Sequence, residues 1–336
     1  MSMEIASAFK CNTEGENMKR NEIEKELVKQ DSTILSFPNR GPWGESSYRG
    51  NCSGWIHAFL IWKYQVGKMA ELFSGSGTGY DVCQDMNISY VGADLNPNPV
   101  RPGILNVNAI TDEVPMEFMD ADMLFMHPPY SNVCKIDWAG KAYPDKTGEL
   151  KKSDLGNMPW EQFIQVLNTI LMRYYTSMQN GGRMAVLMGD VRRNGKFYSM
   201  LSDIVKPGNL EQIIIKTQHN TFSGRQNIAY THRNFVPIAH EYIMVLKKLA
   251  PYIIDFHLPK KYEVDVRDSQ CATWRDVVAA VLQNLGNEAS LQQIYAEIEG
   301  HKKCENNSHW REKVRQVLQE HSIFVNLERG VWTMAA

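Results

Sequence analysis

The chain has 336 residues, 43% apolar and 22% charged, which suits a globular protein with one large domain plus a small one. No run approaches the roughly 20 apolar residues needed to span a bilayer, and the amino terminus lacks the apolar core of a secretory signal. A net charge of −2 excludes a uniformly basic nucleic-acid binder, and six scattered cysteines, without CxxC or zinc spacing, point to reduced thiols in a cytoplasm and to no metal.

Residues 1–44 are polar, with one short helical stretch at Asn21–Lys29, and read as a peripheral segment. From 45 to 248 short apolar runs alternate with amphipathic stretches, the pattern of a doubly wound α/β sheet. The predicted strands are Lys68–Phe73, Ser89–Ala93, Asp122–Met126, Gly182–Met188, Leu210–Lys216 and Glu241–Lys247. The predicted helices are Gly54–Tyr64, Tyr80–Asp85, Pro159–Met178 and Phe197–Val205. Ser131–Met158 is polar and aperiodic, and reads as a long functional loop. A charged, proline-containing linker spans 249–268. Residues 269–336 then carry three helical stretches (Thr273–Leu285, Ser290–Glu299, Ser308–His321) and a terminal hairpin, Ile323–Asn326 and Val331–Met334, the order of a winged helix.

Two places carry chemistry. The tetrapeptide His127-Pro128-Pro129-Tyr130 follows the apolar run Met123–Met126. Its prolines fix the backbone and remove two N–H donors, leaving nearby carbonyls free to accept. Its tyrosine offers a flat face at the carboxyl end of a strand, where open α/β sheets bind ligands. The second place is Glu71-Leu-Phe73-Ser74-Gly75-Ser76-Gly77-Thr78-Gly79, between a strand and a helix, followed by Asp94 at the end of the next strand. Such glycines let the backbone approach a ligand, and an acidic residue at that place binds ribose hydroxyls. Glu71 would repel a pyrophosphate and suits a cofactor with a positive amino group, which S-adenosylmethionine has.

Together these elements resemble the DNA amino-methyltransferases, whose cofactor turn has the form D-P-F-x-G-S-G-T and whose catalytic tetrapeptide is D/N/S-P-P-Y/F/W. Glu71–Thr78 and His127–Tyr130 match them, with Glu for Asp, Leu for Pro and His in the first catalytic position. Tyr48-Arg49-Gly-Asn51 is similar to the family's amino-terminal cofactor motif, and Asn108-Ala109 to the position facing the adenine ring. Residues 189–195 and 240–248 are similar to late sheet segments of the family, so the resemblance covers about 45–248. The motif order resembles the γ-type arrangement or a permuted β-type relative.

The resemblance implies a Rossmann-like S-adenosylmethionine-dependent methyltransferase sheet with helices on both faces, plus the small carboxyl-terminal winged-helix domain. It implies cofactor contacts from Tyr48, Arg49, Asn51, Glu71, Phe73, Ser74, Gly75, Ser76, Gly77, Thr78, Asp94, Leu95, Asn108 and Ala109. It also implies base flipping, stacking of the base on Tyr130 and acceptance from its amino group by the carbonyls of His127 or Pro128. A neutral His127 imidazole can replace the usual carboxylate acceptor and a protonated one cannot, so activity is expected to fall at mildly acidic pH.

The expected partner is double-stranded DNA, alongside a cognate restriction endonuclease, in the cytoplasm and on the nucleoid. A basic region (Arg192, Arg193, Lys196, Lys216, His219, Arg225, His232, Arg233) supplies local phosphate contacts, with 219–235 entering a groove. Lys302, Lys303, Arg311 and Arg315 flank or lie on the third helix of the terminal module, the one that enters the major groove in helix-turn-helix proteins. The activity expected is methyl transfer to adenine N6. Cytosine N4, or a non-catalytic DNA-binding regulator retaining the cofactor fold, is the alternative.

Overall fold

The computed structural model describes residues 20–136, 138–219, 236–249, 256–258, 273–305 and 307–335. The chain divides into two compact units, Met1–Pro259 and Lys260–Ala336. Unit 1 contains, in chain order, α1 (Arg20–Leu27), β1 (Ile34–Leu35), α2 (Gly54–Tyr64), β2 (Lys68–Leu72), α3 (Thr78–Met86), β3 (Ser89–Asp94), β4 (Ile104–Asn106) and β5 (Met123–Met126). There follow α4 (Leu150–Ser153), α5 (Trp160–Ser177), β6 (Arg183–Met188), β7 (Asp190–Arg193), β8 (Lys196–Ser199), α6 (Met200–Asp203), β9 (Lys206–Pro207), β10 (Asn209–Thr217), β11 (His240–Lys247) and β12 (Phe256–His257).

Eight strands form one sheet in the order β1-β10-β11-β6-β5-β2-β3-β4. The run from β6 to β4 is parallel, whereas β11 is antiparallel to both neighbours. Alternate side chains of the central strands enter opposite cores, as the two-residue period of a strand requires. Leu124, Met126, Met184 and Val186 pack with α5 (Phe163, Leu167, Ile170, Leu171), while Met123, Phe125, Ala185 and Leu187 pack with α1, α2 and α3. Helices therefore cover both faces. This is the Rossmann-like α/β sheet that the apolar runs and the resemblance led us to expect.

Three local expectations need correcting. Phe197–Val205 was expected as one helix, but Phe197 lies in the β7–β8 hairpin and only Met200–Asp203 is helical. The turn at Asn194-Gly195, both at positive φ, drives the chain back as a hairpin and overrides the helical spacing. The segment 1–44 is not peripheral over its described part: Ile23, Leu27 and Leu35 have no exposed surface. Fully burying each of these side chains is worth about 1.5–3 kcal/mol, which offsets the polarity around them. The short strands β1 and β4 have no counterpart in the sequence reading. Two or three residues are too few for a period to show.

Unit 2 contains α7 (Trp274–Asn284), β13 (Glu288–Ser290), α8 (Leu291–Ile298), α9 (Lys302–Glu305), α10 (Trp310–Glu320), β14 (Phe324–Glu328) and β15 (Val331–Met334). Thr273 and Ser290 begin α7 and α8 with reciprocal capping boxes, which satisfy amide donors that a helix start leaves open. Three helices close on a core of Val277, Val281, Leu282, Ile294, Ile298, Val314 and Leu318. The strands pair in the order β13-β15-β14.

Candidate active site

The carboxyl ends of β2, β3 and β5 open on one cavity in unit 1. The tetrapeptide and most of the expected cofactor residues line it: Tyr48, Asn51, Glu71, Phe73, Ser74, Gly75, Ser76, Thr78, Asp94, Leu95, Asn108 and Ala109. Two expected cofactor residues do not. Arg49 is exposed outside it, and Gly77 faces away, where an added Cβ would sit 2.4 Å from Arg101 Cγ.

The glycine turn is wound tightly because Phe73, Gly75 and Gly77 all have positive φ. For Phe73 that conformation is strained, and two bonds to one carbonyl hold it: Phe73 N and Ser74 N donate to Ala93 O at 2.9 and 3.2 Å. Gly75 lies close under Tyr48, where a Cβ would stand 3.1 Å from the ring, and its positive φ disfavours any side chain. Asn51 ties the amino-terminal motif to α3, accepting from Thr78 Oγ1 at 2.5 Å and donating to Glu45 O at 2.9 Å. Asp81 in the first turn of α3 accepts from Gly44 N and pairs with Arg101 through both oxygens.

Asp94, 8% exposed, accepts from Gly75 N at 2.8 Å and Asn96 N at 2.9 Å. Burial pushes its carboxyl up, against the two amides that favour its charge. Glu71 also lines the cavity, but each of its oxygens already has a partner: His57 Nε2 at 2.7 Å and the Tyr90 hydroxyl at 2.5 Å. Asn108 is engaged at both ends, donating to Ser153 Oγ at 2.8 Å and accepting from Ile110 N at 3.1 Å.

At the far side of the cavity the His127 and Tyr130 rings meet edge to face at 5.9 Å. The Tyr130 hydroxyl donates to Glu241 Oε1 at 3.3 Å, and Lys216 Nζ donates to Glu241 Oε2 at 2.6 Å. Burial, opposed chiefly by the Lys216 ammonium, leaves the Glu241 carboxyl below its usual range. Gly189 makes room for this arrangement: a Cβ there would lie 3.3 Å from the Tyr130 hydroxyl.

The long loop after the tetrapeptide is ordered by one carboxylate. Asp154, 2% exposed, accepts from the backbone N–H groups of Trp138 (3.3 Å), Ala139 (3.0 Å) and Gly156 (2.9 Å). It holds Trp138 and Tyr143 in a small apolar cluster with Tyr48 and Leu95, and both aromatics line the cavity. The loop is closed at its base, where Ser131 Oγ and Asn132 N both donate to Met158 O.

Several lining residues escaped the sequence reading: Cys52, Trp138, Tyr143, Asp154, Gln218 and Glu241. Trp138, Tyr143 and Asp154 lie in a segment without periodicity, while Glu241 lies in a strand and resembles an ordinary edge charge. Lys216 was expected to contact phosphate; it faces the cavity instead, paired with Glu241. Lys216 lies directly opposite Glu241 in the β10–β11 pairing, so the two side chains share the face that borders the cavity.

Of the expected DNA-contact residues, Arg192 and Lys196 are exposed on the β7–β8 hairpin and Arg193 is half-buried. Arg192 and Lys196 lie over the rings of Phe197 and Tyr198. Arg225 and Arg233 lie outside the described residues, as does most of 219–235. In unit 2 Arg311 pairs with Glu299 and lies over Trp310, Arg315 pairs with Glu312, and Lys303 lies over Trp274. Lys302 is on the short α9. Among the described residues no group of His, Cys, Asp and Glu could hold a metal ion, and no helix is long and apolar enough to cross a membrane.

No protein-family model and no curated sequence matches the chain. Its fold is similar to that of human N-acetylserotonin methyltransferase in complex with SAM, 13% identical over 44% of this chain, with a TM-score of 0.25. This match spans 39% of the human chain. It is also similar to a Thermoplasma acidophilum protein (11% identical, 68% of this chain and 97% of that one, TM-score 0.31) and to the plantazolicin methyltransferase in complex with SAH (8%, 68% and 90%, TM-score 0.30). Likeness at these levels carries no information about substrate, and the site has to be read from its own geometry.

Proposed function

We propose that the chain is an S-adenosylmethionine-dependent DNA amino-methyltransferase acting on adenine N6. The observation that carries this reading is the single cavity lined at one end by the glycine turn and Asp94, and at the other by His127 and Tyr130. The donor set suits the cofactor. Asp94 offers a buried carboxylate for ribose hydroxyls, while Tyr48, Leu95 and Trp138 offer apolar faces. Glu71 is a poorer partner for an amino group than its place in the turn implies, because His57 and Tyr90 already occupy its oxygens.

When bound, S-adenosylmethionine supplies an electrophilic methyl group: the amino nitrogen forms the new N–C bond as the S–C bond breaks and leaves its electron pair on sulfur. The residues of this chain place the nitrogen. Tyr130 stacks on the flipped base, which is worth about 1–3 kcal/mol. The neutral imidazole of His127 or the Pro128 carbonyl accepts an amino hydrogen and so turns the nitrogen lone pair toward the methyl group, and near-attack placement is the main source of rate. The proton that leaves the nitrogen goes to His127.

The β7–β8 hairpin supplies a local basic surface for the DNA backbone. The helix, strand and hairpin order of unit 2 fits a winged helix that adds a second DNA contact, and a cognate endonuclease is the partner such an enzyme would protect DNA against. The test is methyl incorporation into duplex DNA by the wild type and by Tyr130→Ala, with modified-base sequencing of DNA from expressing cells. Incorporation at adenine by the wild type alone is the expected result. No incorporation by either protein on any DNA would sink the reading.

A further inference from the structure

Two charged residues face each other in the cavity wall. Lys216 stands at the carboxyl end of β10 and Glu241 opposite it at the start of β11, and both line the cavity with Tyr130. Their side chains are only 15% and 13% exposed, and Lys216 Nζ donates to Glu241 Oε2 at 2.6 Å. Glu241 Oε1 accepts from the Tyr130 hydroxyl at 3.3 Å, so each carboxylate oxygen has a partner. The ammonium is placed differently. It carries three N–H donors, and Glu241 is its one hydrogen-bond partner among the described residues. Two donors therefore remain at the cavity wall. Gly189 leaves space for the group, since a Cβ there would stand 3.3 Å from the Tyr130 hydroxyl and 3.4 Å from Glu241 Cγ.

A nearly buried ion pair is a weak source of stability, because the desolvation of both charges offsets their attraction. Its place in the cavity points to a ligand instead. A base stacked on the Tyr130 ring extends one edge over the hydroxyl, toward the pair. Flipping strips that base of its Watson–Crick partner, so its ring acceptor has to find a donor inside the site. We propose that Lys216 is a specificity-determining residue whose ammonium donates to the Watson–Crick ring nitrogen of the flipped base, N1 of adenine, and that Glu241 positions it there.

This rests on the methyltransferase reading above and deepens it by saying which bases the site admits. In adenine the ring nitrogen beside the amino-bearing carbon accepts a hydrogen bond, as N3 of cytosine does. In guanine and thymine the corresponding nitrogen carries a hydrogen, which would meet the ammonium donor to donor. A site built to bond a substrate group rejects the analogue that lacks it, because its own polar group is then left unpaired. Lys216 thus admits amino bases and turns keto bases away, while His127 and Pro128 contact the amino group itself. Glu241 serves both ends of the contact: one oxygen directs the ammonium and the other ties the ring on which the base stacks. Burial favours its neutral form, but the Lys216 ammonium outweighs burial and keeps the carboxylate charged.

The test compares duplexes carrying adenine or 1-deazaadenine, which has C–H in place of N1, at the target position. The proteins are the full-length wild type and Lys216→Met combined with Glu241→Gln. Changing both residues leaves no charge buried alone, and the new amide oxygen still accepts from the Tyr130 hydroxyl, so the ring stays tied. Unchanged titration of S-adenosylmethionine shows that the variant is folded. The readouts are kcat/KM and, without turnover, affinity for the duplex. Altered flipping and nucleophilicity of the analogue are common to both proteins and cancel in the comparison. The penalty for 1-deazaadenine should be about tenfold or more larger in the wild type than in the variant, as loss of a hydrogen bond to a charged donor implies. 7-Deazaadenine, which keeps N1, should be penalised equally in both. Penalties for 1-deazaadenine within about twofold of each other overturn the proposal, as does a larger difference with 7-deazaadenine. Either result in an active wild type leaves the methyltransferase reading standing. A wild type that methylates no adenine in any duplex overturns both.

Discussion

Replacing Asp154 by asparagine isolates the role of the roof over the cavity. The side chain keeps its size and is 2% exposed in the native fold, so what changes is its capacity to accept. Oδ1 accepts from Gly156 N, and Oδ2 from Trp138 N, Ala139 N and the Asn157 side-chain amide. An amide has one oxygen. If that oxygen keeps Gly156, an NH₂ group faces the two donors of Trp138 and Ala139. Each hydrogen bond to a charged acceptor is worth about 1.5–3 kcal/mol, so the two lost backbone bonds alone cost about 3 kcal/mol at the low end. The cost falls on local order of the loop rather than on the whole unit, because the loop can open while the sheet stays folded. Converted at about 1.4 kcal/mol per tenfold, it weakens S-adenosylmethionine about 100-fold. Isothermal titration gives the affinity, and hydrogen exchange at Trp138 and Ala139 gives the opening. An affinity within about threefold of wild type, with unchanged protection at those amides, would refute the assignment of Asp154 as the anchor of the roof.

Tyr130→Ala removes both the stacking face and the bond to Glu241, and should reduce methyl incorporation by about 100-fold or more at unchanged cofactor affinity. Gly79→Ala should destabilise by about 1–3 kcal/mol on a thermal melt, although alanine is the better helix former, because the added Cβ would stand 2.4 Å from Glu71 Oε2. Arg192→Ala with Lys196→Ala should lower the slope of log affinity against log salt by about 2, the share of two phosphate contacts. The Arg183 guanidinium bonds both oxygens of Glu211 and holds that carboxyl below its usual range. Its contribution is present above the unfolded carboxyl's pKa of about 4.3 and is lost as pH falls through the lower folded value. The stability gap between wild type and Glu211→Gln should therefore shrink as pH is taken below that range.

The middle of the sheet was legible because its central strands are apolar runs buried on both faces, as Met123–Met126 and Met184–Met188 show. The glycine turn and the tetrapeptide were legible because their backbone demands restrict the residues they can use. The roof of the cavity was not. Trp138, Tyr143 and Asp154 are placed by hydrogen bonds within an aperiodic loop, and nothing in their spacing announces it. Neither was the buried side of the site. In sequence His57 is a lone histidine in an apolar helix; only the packing of α2 on β2 and β5 puts it beside Glu71.

The closed base of the 131–158 loop has a consequence for how such a protein can diversify. Ser131 and Asn132 are stitched to Met158, and Asp154 pins the middle, so the ends of this lobe do not depend on what lies at its tip, residues 144–149. Extra chain inserted at that tip lengthens a loop that is already closed, and each doubling of length costs only about 0.6 kcal/mol. New surface for reading a target can be grafted there without moving Trp138 or the tetrapeptide. The lobe separates the part of the molecule that must stay fixed for chemistry from a part that is free to vary.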